Sequence, residues 1–537
     1  MKRKGLAVGI ILLFVVTCIS SSTAQKVEKQ PLPTSRGNWL YVGGSGPGNY
    51  TRIQDAIDNA SSGDTVFVYA GIYQEWINIE KALTLQGQDK GTTYLDATNN
   101  KDRLVFINAS SVTIDGFTLE NCYDPSEPGF PSAIWIKKRT PYNENIRISN
   151  CIIAHDDKGI NFENMVNFSL SNCTIEQNPA QSLWGINSMN ISVKDCVFDH
   201  NGHNEGGGWV TPGGITFQDC SQIDIQGCQF STNTGDSNWI ENCENVTFNQ
   251  NSICSGSWSG IYIDTINGLQ ILNNMISSNN YMGVMINNPI KGIITIHDNN
   301  ISSNGRGQPD HSTGGMCLFS KITNISITHN TFYKNNIDGI ILCSSYAQIT
   351  NNTFIGNNVG ILVSQVQDVG RFGVVRDNWF WDNSQIGVEV DADNGRVTHN
   401  TIHGGQTGVY LNGFGDLVSH NLISNVKWGV VTVSSWHNIS SNTIANVSDC
   451  CVSVNGSGNM VISSNNFLNY SKNPHLYRYY EPRNHWNGNY WGKPRLLPKI
   501  IHGTQLYYLS RRFNQVNLPA IEIDWHPAQK LNDIGQK

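Results

Sequence analysis

Ile325-Ser-Ile-Thr-His-Asn330-Thr-Phe332 leads into Gly339-Ile-Ile-Leu342, and Gln348-Ile-Thr-Asn-Asn352-Thr-Phe354 leads into Gly360-Ile-Leu-Val363. The phrase recurs through most of the chain. Its Asn returns at Asn251, Asn274, Asn299, Asn330, Asn352, Asn378, Asn400, Asn421, Asn442 and Asn465. Upstream, Cys151, Cys173, Cys196 and Cys228 hold the same slot. Two residues later every copy has Ile or Phe, from Ile153 to Phe467. A glycine then opens most of the following apolar runs, among them Gly159, Gly185, Gly214, Gly339 and Gly360. Marker spacings are mostly 21 to 26 residues, with two longer ones of 31 and 32.

Within a copy, apolar residues alternate with Ser, Thr or Gln, which is the periodicity of strands. Short strands at a fixed period make a solenoid. A β-propeller would want periods near about 40–45 residues, so the reading is an all-β, right-handed parallel β-helix with about three strands per coil, stacked roughly 4.8 Å apart. The marker Asn is expected to sit in a left-handed turn and to point inward, bonding the amides above and below it. The Ile/Phe slot is expected to stack inside.

Residues 1–24 have the form of a signal peptide. Lys2, Arg3 and Lys4 precede an apolar run and Ser22-Thr-Ala24 offers a cleavage site. Residues 25–37 read as a linker, 38–470 as the β-helix with its N-terminal cap, and 471–537 as a C-terminal cap. Thr51-Arg-Ile-Gln54 reads as a capping box, opening a short helix that covers the first coil. No other run is long and apolar enough to span a membrane, so the mature chain is expected to be exported, to the periplasm, the cell surface or beyond.

Ile53-Gln-Asp-Ala-Ile57, Gly63-Asp64, Val68-Tyr-Ala-Gly71, Tyr73-Gln-Glu75 and Leu83-Thr-Leu-Gln-Gly87 resemble the opening of NosD-like β-helix proteins, within the wider pectin-lyase-like superfamily of carbohydrate-binding proteins and sugar hydrolases. His485-Trp-Asn-Gly-Asn-Tyr-Trp491 resembles the element that ends many NosD-like chains. An Asp-rich continuation is usual there, and Gly492-Lys-Pro-Arg-Leu-Leu-Pro498 stands in its place. For some members the resemblance implies a role in copper-site maturation. The aromatic tail reads chiefly as a cap, with a sugar-stacking surface on Trp486, Tyr490 and Trp491 as the sharper alternative.

A net charge of −7 with no basic block speaks against nucleic acid as a partner. Twelve cysteines follow the leader and none forms a Cys-x-x-Cys pair, so they read as buried thiols. Neighbours such as Cys151 and Cys173 fall in disulfide range if stacked.

Longer turns after Leu119, Phe198 and Ile301 mark one edge as the candidate groove. Its early coils carry Asp156, Asp157, Glu176, His200, His203 and Glu205 as candidate catalytic residues, with Trp184, Trp209 and Trp239 as sugar-binding ones. Carboxylates on neighbouring coils fall in the range used by glycoside hydrolases, and His or Lys158 could abstract a proton beside a uronate carboxyl. The leading expectation is polysaccharide binding along this edge. The alternatives are a polysaccharide lyase, glycoside hydrolase or epimerase; a structural or adhesion rod; and copper maturation. No residue set is assigned to a metal, although His399 and His420 share a slot on adjacent coils. Calcium stays open as a cofactor, and the oligomeric state is unknown.

Overall fold

A computed structural model of the chain describes residues 38–98, 103–123, 131–137, 142–202, 212–307, 313–319, 324–343, 347–364, 373–455, 458–472, 474–479, 484–508 and 515–534. His203, Glu205 and Trp209 lie outside the described residues, as do most of the longer turns after Leu119, Phe198 and Ile301 and the whole leader.

The chain winds into a parallel β-helix with three sheets. The first runs through Thr65–Val68, Leu83–Gly87, Val112–Asp115 and onward to His485–Asn487. The second runs from Gly71–Tyr73 to Tyr490–Trp491. The third runs from Ile77–Ile79 to Lys499–Tyr508. Coil-to-coil pairing is parallel throughout, except where Gln515–Asp524 returns antiparallel on Lys499–Tyr508.

The Ile/Phe slot stacks inside, as its uniform apolarity requires. Phe332, Phe354 and Phe380 are fully buried, with ring centroids 4.9 and 4.8 Å apart and planes within 9° of parallel. Burying each such side chain contributes roughly 1.5–3 kcal/mol.

The marker Asn points inward and forms the expected ladder. The Asn330 backbone N–H donates to Asn352 Oδ1 (2.9 Å), and so does Asn330 Nδ2 (3.0 Å). Asn352 repeats both bonds to Asn378. The left-handed turn falls one residue earlier, at Asn273, Asp298, His329, Asn351 and His399. That residue projects outward, which frees its identity, while the marker is held by its inward bonds.

In the early coils thiols replace amides in the column. The Cys151 N–H donates to Cys173 Sγ (3.4 Å), and Cys173 Sγ–H donates to Ser171 O (3.3 Å). All twelve described cysteines are free thiols, eleven of them buried.

A second ladder runs five residues past the marker. Asn178 Nδ2 donates to Asn201 Oδ1 (3.0 Å) and Asn201 Nδ2 to Asn233 Oδ1 (3.1 Å). Asn279, Asn304, Asn335, Asn357 and Asn383 form a further run of it.

The glycine slot has a steric cause. A Cβ on Gly360 would lie 2.5 Å from the carbonyl oxygen of Gly387, and one on Gly339 would lie 2.5 Å from that of Gly360. Gly185 does not belong to this slot. It pairs with Phe162 and Phe217, making room for their rings, and Ser182 stands at the opening position.

The helix Ile53–Asn59 covers the first coil with Ile53, Ala56 and Ile57. The capping box is not made. The Glu75 carboxylate accepts the Ile53 and Gln54 N–H groups instead (2.7 and 3.1 Å). That frees Gln54 to bond both backbone groups of Asn78 on the third sheet, at 2.8 and 3.2 Å.

At the far end Trp486 and Trp491 are buried, which removes them as a sugar-stacking surface. Trp486 Nε1 donates to Glu522 Oε2 (2.7 Å) and Trp491 Nε1 to Asp524 Oδ2 (3.1 Å).

Candidate functional site

The outer face of the third sheet carries one continuous column of residues in register. It reads Phe106, Trp135, Asn161, Trp184, Thr216, Trp239, Tyr262 from coil to coil. All are half-buried, each resting on the sheet with part of its side chain in solvent. Trp135, Trp184 and Trp239 recur at every second coil, roughly 9–10 Å apart at the strand spacing. Cations lie against two of them. The Arg103 guanidinium is 4.5 Å from the centre of the Trp135 ring, and Lys158 Nζ is 4.7 Å from that of Trp184. Burial pulls the Lys158 ammonium below its usual range, opposed by the charge of Asp157. The indole N–H groups of Trp135 and Trp239 are buried and have no acceptor among the described residues.

The same column then changes character. Met285, Cys317, Ile341 and Leu362 follow in register. Here Cys317, Ile341, Met282 and Cys343 make a second small apolar cluster, outside the main core. Beyond it stand Glu389 and Tyr410.

Burial, then the charge of Asp391, pushes Glu389 up to about 7. Burial, then the charge of Glu389, pushes Asp338 up to about 7. These carboxyls hold protons near neutrality, as a general acid must. A raised carboxyl makes the folded state bind more protons than the unfolded chain, so its contribution declines as pH rises from about 4 and levels above about 7. Asp338→Asn is therefore expected to raise the thermal midpoint at pH 8 and leave it unchanged at pH 4. An equal shift at both pH values would remove Asp338 as a buried proton holder.

Of the acids expected in the early coils, Asp156, Asp157 and Glu176 lie among the described residues, and none of these three stands in the tryptophan column. Asp156 is fully buried at the head of the second ladder. Its Oδ1 accepts the Cys122 N–H (2.7 Å), and its own N–H donates to Asn178 Oδ1 (2.9 Å). Burial raises its carboxyl well above the usual range. Asp157 is also interior, with its N–H on Cys122 O. A polar turn residue followed an inward column here, and polarity alone does not reveal which way it faces. Glu176 and Asp199 pair across the second sheet, and exposed His200 holds Asp199 Oδ2 through Nδ1 (2.8 Å). Trp184 and Trp239 do share one column. Phe106, Trp135 and Tyr262 were missed, although each occupies the corresponding outward position of its strand.

Two groups of imidazoles lie along the turn between the first and second sheets. His399 and His420 stack face to face, 4.8 Å apart at 6°. Burial lowers the His399 pKa, with the charges of His420 and Arg376 adding to it. Further back, His297, Asp298 and His329 bring two imidazoles and a carboxylate together, with one ligand atom from each within 4.8 Å of the others. This is the one such group of three among the described residues.

Fold and face together define a parallel β-helix protein with an aromatic-lined outer face. Its repeats match the family model described as "Periplasmic copper-binding protein (NosD)" over residues 142–338 and 338–496. The chain belongs to the NosD family. It is 29% identical over 112 residues to a cell surface glycoprotein of Methanothermus fervidus, covering 20% of this chain and 16% of that one. The chain thus spans about a sixth of the length of that relative.

Among solved structures, it is similar to the A-module of the Azotobacter vinelandii mannuronan C-5 epimerase AlgE4, at 11% identity and a TM-score of 0.25, covering 81% of this chain and 90% of that one. It is also similar to a DFA-IIIase from Arthrobacter chlorophenolicus, at 12% identity and a TM-score of 0.32, covering 62% of this chain and 88% of that one. Among the described residues, the donor set that fits copper is the His297 group, since imidazole nitrogen with carboxylate oxygen suits Cu(II). Among the described residues no helix is long and apolar enough to cross a membrane.

Proposed function

We propose that this protein acts outside the cytoplasm and binds an extended polysaccharide along the outer face of its third sheet, with the glycan parallel to the solenoid axis. The observation that carries the reading is the recurrence of Trp135, Trp184 and Trp239 at every second coil. Aromatic faces at a constant interval suit a polymer whose sugar faces also recur at a constant interval. Stacking buries the apolar face of a sugar, while the ring edge stays near polar groups. Asn161 and Thr216 lie between the rings as hydrogen-bonding partners for hydroxyls. Arg103 and Lys158 favour a glycan that carries carboxylates at the early coils.

The test is retention of the purified chain in gels cast with neutral and acidic polysaccharides, followed by titration of the glycan that retains it. Trp184→Ala and Trp239→Ala are each expected to weaken binding by about tenfold, equivalent to roughly 1.4 kcal/mol. The expected loss in the triple variant with Trp135→Ala is complete. Retention of wild type and triple variant alike would sink the reading, and so would the absence of retention on any glycan. A second reading, glycan cleavage, has Glu389 in its favour, because a carboxyl held near 7 can donate a proton to a leaving oxygen. New reducing ends that vanish in Glu389→Gln would support it.

A further inference from the structure

We propose that His297, Asp298 and His329 form a site for one borderline divalent transition ion, Cu(II) or Zn(II), on the edge between the first and second sheets. The site stands apart from the aromatic face and does not depend on the glycan reading.

The geometry comes from the coil repeat. Asp298 and His329 fill the same left-handed turn position on adjacent coils, with φ of 56° and 58°. That conformation turns both side chains outward. His297 ends its strand next to Asp298 and pairs in register with Thr328. Thr328 Oγ1 lies 2.8 Å from His297 Nδ1, and this contact sets the ring and leaves Nε2 as the atom available to a ligand. A metal-binding imidazole is commonly oriented in this way, through its other nitrogen. His297 Nε2 lies 2.9 Å from Asp298 Oδ2. The His329 ring stands 5.0 Å from that of His297 at 73°, so the two imidazoles meet edge to face rather than stacking.

Three ligand atoms within 4.8 Å of one another need only small side-chain rotations to reach the bonds of about 2.0–2.2 Å that such an ion makes. Two imidazoles and a carboxylate leave one or more positions for water. Hard ions that prefer all-oxygen sites are disfavoured by the two nitrogens. His399 and His420 make a contrast. Their parallel rings place the nitrogens side by side, and no third ligand joins them among the described residues.

The repeat itself supplies substitutions that fold. Asn273 and Asn351 occupy the turn position of the neighbouring coils with the same φ sign, and Leu272 is the register partner of His297. His329→Asn, Asp298→Asn and His297→Leu therefore copy residues that the solenoid already accommodates.

The untagged, chelator-treated chain would be titrated separately with ZnCl2, followed calorimetrically, and with CuSO4, followed by electron paramagnetic resonance. The expected result is one ion per chain, with Cu(II) the tighter of the two. Nitrogen couplings from two imidazoles are expected, falling to one in His329→Asn or in His297→Leu. Each of these variants is expected to weaken binding at least tenfold, whereas His399→Asn and His420→Asn leave it unchanged. Affinity that is unaffected in the His297→Leu/His329→Asn double variant would mean an adventitious ion only and would overturn the proposal. Absence of binding in wild type would do the same.

Discussion

Asn352→Leu is expected to lower the unfolding free energy of the solenoid by about 3–6 kcal/mol, at roughly 1–3 kcal/mol for each buried group left without a partner. Asn352 Oδ1 accepts two N–H groups of Asn330 at 2.9 and 3.0 Å. Its Nδ2 donates to Ile327 O (2.8 Å), Thr350 O (3.1 Å) and Asn378 Oδ1 (3.1 Å). A leucine fills the volume and makes none of these bonds. The loss strikes mid-column, where the neighbouring amides have no water to turn to. Asn352→Cys is expected to be the gentler change, because a thiol at this slot accepts the backbone N–H below and donates to the carbonyl two residues back, as Cys173 does. Denaturation midpoints of the two variants decide the matter, with hydrogen exchange locating the loss to this coil. Equal losses in both would mean that the column contributes packing alone.

Gly360→Val is expected to destabilise by more than the about 1–3 kcal/mol typical of an overpacked core, and to lower soluble yield. Even the first added carbon would lie 2.5 Å from Gly387 O and 2.6 Å from Phe380 Cδ1. The obstacle is a backbone carbonyl on one side and a stacked ring on the other, and neither can move without shifting the next coil. Gly63→Ala isolates the other role of glycine. Its φ of 94° is unfavourable to a side chain, while nothing lies within 4 Å of the added carbon. Its cost is expected near the roughly 1–2 kcal/mol of backbone handedness alone. A smaller loss for Gly360→Val than for Gly63→Ala would contradict the steric account.

The coil period, the Ile/Phe stack and the inward marker Asn were readable because each recurs in nearly every copy at a constant offset. The second ladder was readable in principle by the same logic, five residues past the marker, yet the polar turn around Asp156 reads in sequence as part of an outward groove. Polarity reports exposure only when a buried polar group has no chance of a partner, and here each coil supplies the partner for the next. The aromatic column was harder to find. Gly159 and Ile160 both face inward, so counting alternate residues from the glycine assigns the outward positions incorrectly. Only pairing across coils places Trp135 beside Asn161 and Asn161 beside Trp184. The missing capping box has a comparable cause. Glu75 lies more than twenty residues from the helix start in sequence and becomes its cap only once the coil has closed.

The marker column also has a direction. Each amide gives one hydrogen toward the following coil, Asn442 to Asn465, Asn465 to Asn489, and Asn489 to Asp524, and the other to a backbone carbonyl of the coil before. Such a chain of donors needs a final member that receives, and a carboxyl group stands there. Asp524 takes both the N–H and the amide of Asn489 and has nothing to pass on. A stack whose every unit resembles the next has no length of its own, and end-to-end joining with another molecule would extend it without limit. Here the full stop is a single oxygen pair, carried on a strand that runs against the grain of all those before it.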